Sequence, residues 1–286
     1  MSSNADFRGT VLAGLIGAGI QPSRTPAMHE REGAEQGLAY IYKKIDLEVL
    51  GLGPDALPEL LSAAERMGFS GLNVTHPCKQ SVIPLLHALS PDAQALGAVN
   101  TVLLNEGRRV GHNTDWRGFA ESFRRELSDA PKDRVVLFGA GGAGAAVAYA
   151  LLTLDVAHVV LVDSEPGRAS RLAASLRALF GAGRISTSDN PAEAVTAANG
   201  LVNATPLGMA KYPGMVLAAE HLRPELWVAD IVYFPLETEL LRAARARGCR
   251  TMSGAGMAVF QAAAAFRLFS GREANADRML RHFAAM

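Results

Sequence analysis

The sequence predicts an α/β protein with mostly parallel sheets, organised as two domains. The chain has 286 residues, and at about 150 residues per domain this length corresponds to about two domains. Short apolar runs alternate along the chain with longer amphipathic segments, which is the pattern of consecutive β-α-β units. A glycine-rich turn near the middle of the chain lies between such a run and such a segment, and it indicates that a second series of units begins there.

In the first part of the chain, each predicted strand is followed by a predicted helix. The strands are Val11–Gly17, Tyr40–Leu47, Gly71–Thr75 and Ala98–Asn105, and the helices are Pro26–Leu38, Pro54–Met67, Lys79–Leu86 and Pro91–Leu96. Thr25 is predicted to be the N-cap of the first helix, and Pro26 suits the first helical position because no N–H is needed there. Since helices that connect parallel strands pack on the sheet, both faces should be covered.

The second part of the chain repeats this alternation after a connecting helix, predicted from the apolar spacing between Trp116 and Leu127. The strands are Val135–Phe138, Val159–Asp163, Arg184–Ser188, Gly200–Thr205 and Trp227–Val232, and the helices are Gly142–Leu154, Pro166–Phe180, Pro191–Ala198, Thr238–Arg247 and Gly256–Ser270. The last of these helices is rich in alanine and carries little charge, so it should be buried on most sides.

Composition excludes several classes of protein. Hydrophobic residues make up 49% of the chain and charged residues 20%, which excludes a disordered chain. The 28 basic residues balance the 28 acidic ones, so bulk charge favours neither a nucleic acid nor a membrane as partner. Cys78 and Cys249 form no CxxC motif, and no segment is typical of a secretion signal or a membrane helix. We therefore expect a cytoplasmic protein.

The strongest local signal is Gly139-Ala-Gly-Gly-Ala-Gly144. It matches the G-x-G-x-x-G pattern, in which the first glycine permits a tight turn, the second lets the backbone approach a pyrophosphate, and the third allows close helix–strand packing. The phosphates would lie at the N-terminus of the following helix. The segment predicts a Rossmann-type, doubly wound domain, with a turn that binds no ligand as the alternative. The predicted cofactor contacts in this turn are Gly139, Ala140, Gly141, Gly142, Ala143 and Gly144.

Asp163 ends the next predicted strand, 19 residues after Gly144. An acidic residue at this point accepts hydrogen bonds from the ribose hydroxyls and repels the 2′-phosphate of NADP. Ser164 and Glu165 follow it, and Glu165 adds a second negative charge. Arg168 lies in the following helix, where it either contacts the adenosine side of the cofactor or pairs with Glu165. The sequence therefore favours NAD over NADP.

Polar side chains cluster at four strand ends in the first part of the chain. The clusters are Ser23–Pro26, Asn73–Lys79, Asn100–Thr101 and Asn113–Asp115. Ligands of open α/β sheets bind beyond the carboxyl ends of the strands, and these hydroxyl, amide, amine and carboxylate groups would suit a polyhydroxylated acid. Each residue also has a simpler interpretation: Thr25 caps a helix, Asn113 and Asp115 form turns, and Lys79 is a solvated charge. The presence of the whole set at successive strand ends favours a binding site.

Together these segments resemble the shikimate dehydrogenase family, and most closely its NAD-dependent quinate/shikimate dehydrogenase branch. The resemblance depends on seven segments that occur in the family's order: Ser23–His29, Asn73–Lys79, Gly97–Thr101, Gly111–Asp115, Gly139–Gly144, Asn203–Met209 and Gly256–Gln261. They extend over nearly the whole chain, and their combination is far more specific than any one of them.

The resemblance implies roles for individual positions. Lys79 and Asp115 match the family's catalytic acid–base pair, which also contacts the substrate. Ser23 and Thr25 match the residues that hold the substrate carboxylate. The positions that match contacts to ring hydroxyls are Thr75, Asn100 and Gln261. The positions that match further cofactor contacts are Asn203, Thr205, Pro206, Val232, Tyr233, Gly254 and Met257.

Two departures from the commonest biosynthetic members resemble the NAD-using branch. Thr25 replaces the second serine of the usual Ser-x-Ser-Pro, and Val162–Glu165 replaces the Asn-Arg-Thr-like segment that binds NADP. The implied reaction is hydride transfer between NAD(H) and C3 of quinate or shikimate, giving 3-dehydroquinate or 3-dehydroshikimate. Lys79 would exchange the hydroxyl proton, with Asp115 beside it. No H-x-x-H or H-E-x-x-H pattern is present, so no metal is implied.

The resemblance also implies that the C-terminal helix returns to the first domain. The substrate domain would be residues 1–115 plus 255–286, and the dinucleotide-binding domain residues 116–254. Quinate and shikimate are the expected partners, and the chain is expected to be a monomer or a homodimer. The alternatives are an NADP-dependent biosynthetic shikimate dehydrogenase, another dehydrogenase of this architecture, and a non-catalytic sensor that binds the same ligands.

Overall fold

A computed structural model describes residues 9–286, and these residues form two compact units. The first unit contains residues 9–114 and Gln261–Met286, and the second contains Asp115–Phe260. The predicted domain boundaries lie one residue from the first junction and six from the second. Residues 1–8 of the predicted first domain lie outside the described residues.

The first unit contains a six-stranded mixed sheet. Its strands are β1 (Thr10–Gly17), β2 (Ala39–Asp46), β3 (Gly71–Val74), β4 (Ala88–Leu89), β5 (Thr101–Asn105) and β6 (Arg108–His112). Its helices are α1 (Thr25–Glu35), α2 (Leu47–Leu50), α3 (Leu57–Arg66), α4 (Cys78–Ser81) and α5 (Pro91–Leu96). The C-terminal part of α11 (Gly254–Ser270) and all of α12 (Ala276–Ala284) also belong to this unit.

The strands of this sheet lie in the order β2-β1-β3-β5-β6-β4. Three of the five pairings are parallel, and β5 runs antiparallel to both of its neighbours. Side chains of β1 alternate between the two faces: Val11, Ala13 and Leu15 enter one apolar cluster and Ile16 enters another. Both faces are therefore packed, as the strand–helix alternation predicts.

The second unit contains a six-stranded parallel sheet. Its strands are β7 (Arg134–Phe138), β8 (His158–Val162), β9 (Ile185–Thr187), β10 (Gly200–Asn203), β11 (Trp227–Asp230) and β12 (Arg250–Met252). Its helices are α6 (Asp115–Glu126), α7 (Gly142–Thr153), α8 (Pro166–Phe180), α9 (Pro191–Thr196), α10 (Glu239–Ala246) and the N-terminal part of α11. The strand order is β9-β8-β7-β10-β11-β12. This is the 3-2-1-4-5-6 order of a doubly wound nucleotide-binding fold, and it confirms the predicted fold class.

Three local predictions are wrong. Thr25 is not an N-cap but the first residue of α1, and Arg24 occupies the N-cap position. The predicted strand Ala98–Asn105 begins only at Thr101, because the N–H of Val99 bonds to the carbonyl of Lys79. The predicted helix 79–86 is interrupted: α4 ends at Ser81, and a 3₁₀ turn follows at Ile83–Leu85. The turn contains Pro84, whose missing N–H cannot continue an α-helix.

The remaining predicted elements are present, with ends that differ by at most three residues. Five further elements lack a strong sequence signal: α2, β4, β6, β12 and α12. The strand β6, with the sequence RRVGH, has no apolar alternation. It pairs with β5 through a tight turn at Glu106 and Gly107, both of which have positive φ.

Candidate active site

The predicted substrate residues lie at one edge of the first sheet. Strands β1 and β3 are parallel neighbours, and the chain leaves them in opposite directions, from β1 to β2 at one edge of the sheet and from β3 to β4 at the other edge. Such a switch point is where open α/β sheets bind ligands. Ser23 and Thr25 follow β1, whereas Thr75 and Lys79 follow β3. Since β5 is antiparallel to β3, Asn100, which precedes β5, lies at this same edge.

Ser23 and Thr25 are half-buried and bonded to each other. The Ser23 hydroxyl accepts a hydrogen bond from the Thr25 N–H at 3.3 Å and donates one to Thr25 Oγ1 at 3.1 Å. This interaction explains why Thr25 does not cap the helix. The two hydroxyls form a pair at the start of α1, which suits recognition of a carboxylate.

Asp46, at the end of β2, holds the loop that leads to this pair. Its buried carboxylate accepts hydrogen bonds from the N–H groups of Gly19 at 2.9 Å and Ile20 at 3.0 Å and from the Gln21 side chain at 3.0 Å. Burial raises the pKa of Asp46, but these bonds and one from the Glu48 N–H outweigh burial and lower the pKa below its ordinary value. The sequence did not identify Asp46 as part of the site.

Lys79 is a half-buried residue of the short helix α4, directly after Cys78. The Cys78 thiol is completely buried, and burial raises its pKa, so it is a packing residue rather than a nucleophile. Thr75 lies against β1, because a Cβ on Gly17 would be only 2.3 Å from Thr75 Cγ2. The absence of a side chain at Gly17 therefore lets the β3 loop cross the end of β1.

Asn100 is almost completely buried, and neighbouring residues fix its amide. Its Oδ1 accepts hydrogen bonds from the Thr114 N–H at 2.7 Å and the Thr101 hydroxyl at 3.0 Å, and its Nδ2 donates to Thr114 Oγ1 at 2.9 Å. Behind it, Asn73 Nδ2 donates to Thr101 Oγ1 at 2.9 Å, and the Tyr42 hydroxyl donates to Asn73 Oδ1 at 2.7 Å. This uncharged chain of donors orients Asn100. Tyr42 gave no sequence signal, because an aromatic residue in a strand is typical of a core.

Two other predicted residues lie further along the chain. Gln261 is half-buried in α11 and belongs to the first unit. Asp115 is the first residue of α6, is 8% exposed, and belongs to the second unit.

In the second unit, the glycine-rich turn has the geometry that its sequence predicts. Gly139 has φ of +95°, and a Cβ there would lie 2.8 Å from the carbonyl oxygen of Ala204. At Gly144 a Cβ would lie 1.9 Å from the Gly139 carbonyl oxygen, so only glycine permits the helix to pack this closely. Gly141 has open space in the direction of a Cβ.

The N-terminus of α7 fits an anion. Gly141 is the N-cap, no side chain caps the helix, and the first turn contains no acidic residue. Gly142 and Ala143, in that turn, are half-buried rather than covered. N–H groups and a helix dipole presented in this way suit a pyrophosphate, so these residues fit a dinucleotide.

Asp163 lies beside this turn. One carboxylate oxygen accepts the Ala140 N–H at 2.7 Å and the other accepts the Glu165 N–H at 2.8 Å, and the side chain is 4% exposed. Arg168 pairs with Glu165 at 2.8 Å and lies 3.6 Å from Asp163. Two carboxylates and one guanidinium therefore share this corner, which leaves it with one net negative charge.

The loop after β10 begins at Asn203, whose side chain is fully used inside the protein. Its Nδ2 donates to the Leu207 carbonyl at 2.8 Å and to Asp230 Oδ1 at 3.0 Å, and its Oδ1 accepts the Thr205 N–H at 3.0 Å and hydroxyl at 2.7 Å. Asn203 therefore shapes the loop that carries Thr205 and Pro206. Pro206 is exposed.

The loop after β11 contains the remaining predicted cofactor residues. Val232 is buried and its N–H donates to Asp230, whereas Tyr233 is 40% exposed. Gly254 begins α11, where a Cβ would lie 2.4 Å from the Ile231 carbonyl oxygen. Met257 is buried in the apolar cluster of this unit.

Asp230, which sequence analysis missed, lies between these two loops. Its carboxylate is 1% exposed and accepts hydrogen bonds from Asn203, Val232 and the Thr238 hydroxyl. Burial raises its pKa to about 6 and outweighs these hydrogen bonds. The sequence signal that could have identified Asp230 is a polar residue at the end of a buried strand.

The described residues contain neither a candidate metal site nor a candidate membrane span. Among residues 9–286, no group of three or more His, Cys, Asp or Glu side chains is placed to hold a metal ion. Within the same residues, no helix has both the length and the apolar character needed to span a bilayer.

Two family models match the chain. The model described as the shikimate dehydrogenase substrate binding domain matches residues 15–102. The model described as the shikimate 5′-dehydrogenase C-terminal domain matches residues 254–282. Both matches fall largely on residues of the first unit.

Curated relatives match nearly the full chain. A shikimate dehydrogenase (NADP(+)) from Streptomyces avermitilis is 58% identical over 277 residues, which are 96% of this chain and 95% of the relative. A quinate/shikimate dehydrogenase (NAD(+)) from Corynebacterium efficiens is 48% identical, over 97% of this chain and 99% of the relative. A solved structure of quinate dehydrogenase from Corynebacterium glutamicum in complex with NAD is 46% identical. It superposes with a TM-score of 0.92 and covers 97% of this chain and 99% of that one.

Proposed function

This chain belongs to the shikimate dehydrogenase family, and we propose that it transfers a hydride between NAD(H) and C3 of quinate or shikimate. In the oxidative direction, the C3–H bond breaks and its electron pair and hydrogen reach C4 of the nicotinamide. The C3 hydroxyl loses its proton to a base, and the carbon becomes a ketone. Shikimate or quinate dehydrogenase activity with a pyridine nucleotide follows from the relatives, whereas NAD and the residue roles are our proposals.

We assign the proton transfer to Lys79, paired with Asp115. Support comes from the family segments Asn73–Lys79 and Gly111–Asp115. In reduction, the protonated amine of Lys79 stabilises the developing alkoxide and donates its proton. General acid–base catalysis of this kind contributes about 10²–10⁴ in rate. Ser23 and Thr25 would bind the substrate carboxylate, and Thr75, Asn100 and Gln261 its ring hydroxyls.

One observation carries the choice of NAD: the net negative corner formed by Asp163, Glu165 and Arg168. Asp163 ends β8, where a carboxylate suits the ribose hydroxyls of NAD and repels the 2′-phosphate of NADP. Arg168 is the cation of these three residues, and it is paired with Glu165. Its charge is therefore already compensated and does not favour a phosphate.

An NADP-dependent shikimate dehydrogenase is the second candidate, and a specific observation favours it. The relative from Streptomyces avermitilis, at 58% identity, carries NADP(+) in its name. The relative with NAD(+) in its name is 48% identical. Overall identity and the charge at Asp163 therefore point to different cofactors.

The test is a steady-state matrix of quinate and shikimate against NAD and NADP, using the purified full chain. We expect kcat/KM to be at least about tenfold higher with NAD than with NADP, because a buried carboxylate opposes the added phosphate. Equal or better use of NADP would overturn the NAD proposal. Nucleotide and acid binding without turnover would instead indicate a sensor.

Two variants of Asp163 separate charge from structure. Asp163→Asn removes the charge but keeps an oxygen that can accept the Ala140 N–H, whereas Asp163→Ala removes both. If charge selects the cofactor, both variants narrow the ratio of NAD to NADP activity. An unchanged ratio in both would show that Asp163 does not contact the ribose.

A further inference from the structure

The three hydrogen bonds to Asp230 connect three separate segments of the second unit. Asn203 Nδ2 donates from the end of β10 at 3.0 Å, and the Val232 N–H donates from the loop after β11 at 3.0 Å. The Thr238 hydroxyl donates at 2.7 Å from the N-cap of α10. All three donors are at most 6% exposed.

The connection extends past the first contacts. Asn203 accepts hydrogen bonds from the N–H and hydroxyl of Thr205 and donates one to the carbonyl of Leu207, so its position sets the path of the first residues after β10. The Thr238 hydroxyl also accepts the Leu241 N–H at 3.3 Å, at the first turn of α10. A displacement of the Asp230 carboxylate would therefore move the loop after β10, the loop after β11 and the start of α10.

A carboxylate is the side chain that suits this point. Both oxygens of Asp230 accept, and three donors converge on them. An asparagine offers one accepting oxygen and an NH₂ group that would face a donor. Among the described residues, no ion pair neutralises Asp230, so only these donors compensate its charge. A buried carboxylate without a cation is costly, and stability alone does not explain its presence.

We propose that Asp230 is a positioning residue that holds the loops after β10 and β11 in the arrangement that binds the pyridine nucleotide. The proposal depends on the proposed function, which assigns Asn203, Thr205, Pro206, Val232 and Tyr233 to the cofactor. Asp230 acts through Asn203 and Val232. It therefore sets cofactor affinity and takes no part in proton transfer.

The principal test is Asp230→Asn in the full chain, with KM measured for NAD and for shikimate. We expect KM for NAD to rise about tenfold or more, because one donor loses its acceptor and the loops move. KM for shikimate should stay within about twofold. The proposal would be overturned if KM for NAD and KM for shikimate rose together, or if KM for NAD did not rise.

Asn199→Ala is the matched control. Asn199 lies directly before the other end of β10, where its Oδ1 accepts the Arg134 N–H at 2.8 Å. This variant removes a strand-end hydrogen bond from the same sheet and should lower the melting temperature without changing KM for NAD. If Asn199→Ala raises KM for NAD as much as Asp230→Asn does, the effect reflects general loss of stability and the proposal is wrong.

A second pair of variants keeps the proposal testable if Asp230→Asn does not fold. Thr238→Val removes the hydroxyl but keeps nearly the same side-chain shape, whereas Thr238→Ser keeps the hydroxyl. We expect the valine variant to weaken NAD binding and the serine variant to retain it. Equal affinity in these two variants would overturn the proposal.

Titration of the same variants with NADH, followed by nucleotide fluorescence, separates this proposal from the proposed function. If the wild-type chain turns over neither acid, the proposed reaction is wrong. NADH binding by wild type that weakens in Asp230→Asn and Thr238→Val would still support the role of Asp230. NADH binding that is the same in all of them would exclude it.

Discussion

Each of the two sheets has a glycine at its switch point and a buried aspartate at a nearby strand end, but the two aspartates differ electrostatically. Gly17 ends β1 and lies against Thr75, and Gly139 follows β7 and lies against Ala204. Asp46 ends β2 and has a lowered pKa, whereas Asp230 ends β11 and burial raises its pKa to about 6. Two buried aspartates at the ends of strands therefore do not have similar protonation behaviour.

The difference follows from the donors. Asp46 accepts three backbone N–H groups and one side-chain amide, and together they outweigh its desolvation. Asp230 accepts one backbone N–H and two side-chain donors, and there desolvation is larger. The pKa of a buried carboxylate thus depends on whether its hydrogen bonds replace the lost water.

The largest expected effect is a loss of turnover without a loss of NADH binding, when a residue at the ligand-binding edge of the first sheet is replaced. Lys79→Ala should lower kcat by at least about a hundredfold, because it removes the proposed proton donor and acceptor. The dissociation constant of NADH, measured by fluorescence titration, should change little. Lys43→Ala, at an exposed position of β2, is the control and should retain activity. Near-normal turnover by Lys79→Ala would remove Lys79 from the mechanism.

Alanine at the two switch-point glycines should affect different ligands. Gly17→Ala places a methyl group 2.3 Å from Thr75 Cγ2, and Gly139→Ala places one 2.8 Å from the Ala204 carbonyl oxygen at a positive φ. Each variant should lower the unfolding free energy by about 1–3 kcal/mol, because the added methyl group would overpack its site. Gly17→Ala should raise KM mainly for the acid, and Gly139→Ala mainly for NAD.

Gly183→Ala is the control for this pair, because no atom lies within 4 Å of its added Cβ and its φ is not positive. Urea unfolding and the two KM values should be unchanged in it. If Gly17→Ala and Gly139→Ala raised the same KM, the two switch points would not serve different ligands.

A smaller effect concerns pH and Asp230. Its folded-state pKa, about 6, is above the ordinary value of 3.8, so its contribution to stability is present below pH 3.8 and is lost as pH rises through 6. The difference in unfolding free energy between wild type and Asp230→Asn should therefore fall by about 1.4 kcal/mol from pH 5 to pH 7.5. Urea unfolding at several pH values measures this difference.

Asp46 should show the opposite dependence. Its folded-state pKa is below 3.8, so its contribution is present above that pH and is lost as pH falls through the lower value. The difference between wild type and Asp46→Asn should be constant from pH 5 to pH 7.5 and should shrink in more acidic solution. If the free-energy differences for Asp46→Asn and Asp230→Asn changed in the same direction with pH, the contrast between these two residues would be wrong.

The sequence predicted the fold class and most elements because their signals are local. The turn Gly139–Gly144 has a pattern that only one geometry explains, and the structure has the positive φ and the close helix packing that it requires. The strands with apolar runs were found for the same reason. By contrast, the polar strand β6 depends on pairing with β5, which no local pattern in RRVGH reveals.

The candidate site was predictable where its residues belong to recognisable segments. It was not predictable where a residue only orients a site residue through hydrogen bonds. Asn100 lies in such a segment, but Tyr42, which orients it through Asn73, is 58 residues away. Asp46 and Asp230 are each the last residue of a strand, β2 and β11, and neither strand has a sequence feature that singles them out. Their importance depends on which donors the sheet brings to them, and that is a property of the folded chain.

The ion pair between the buried Glu32 and the partly exposed Arg278 has a consequence for biosynthesis. The two residues are 246 positions apart, and Arg278 donates two hydrogen bonds to a carboxylate that is 0% exposed. During translation, at about 5–20 residues per second, the ribosome adds the partner of Glu32 only after all of the second unit has been made. The unit whose synthesis starts first is therefore the one that is completed last, when α12 packs against α1.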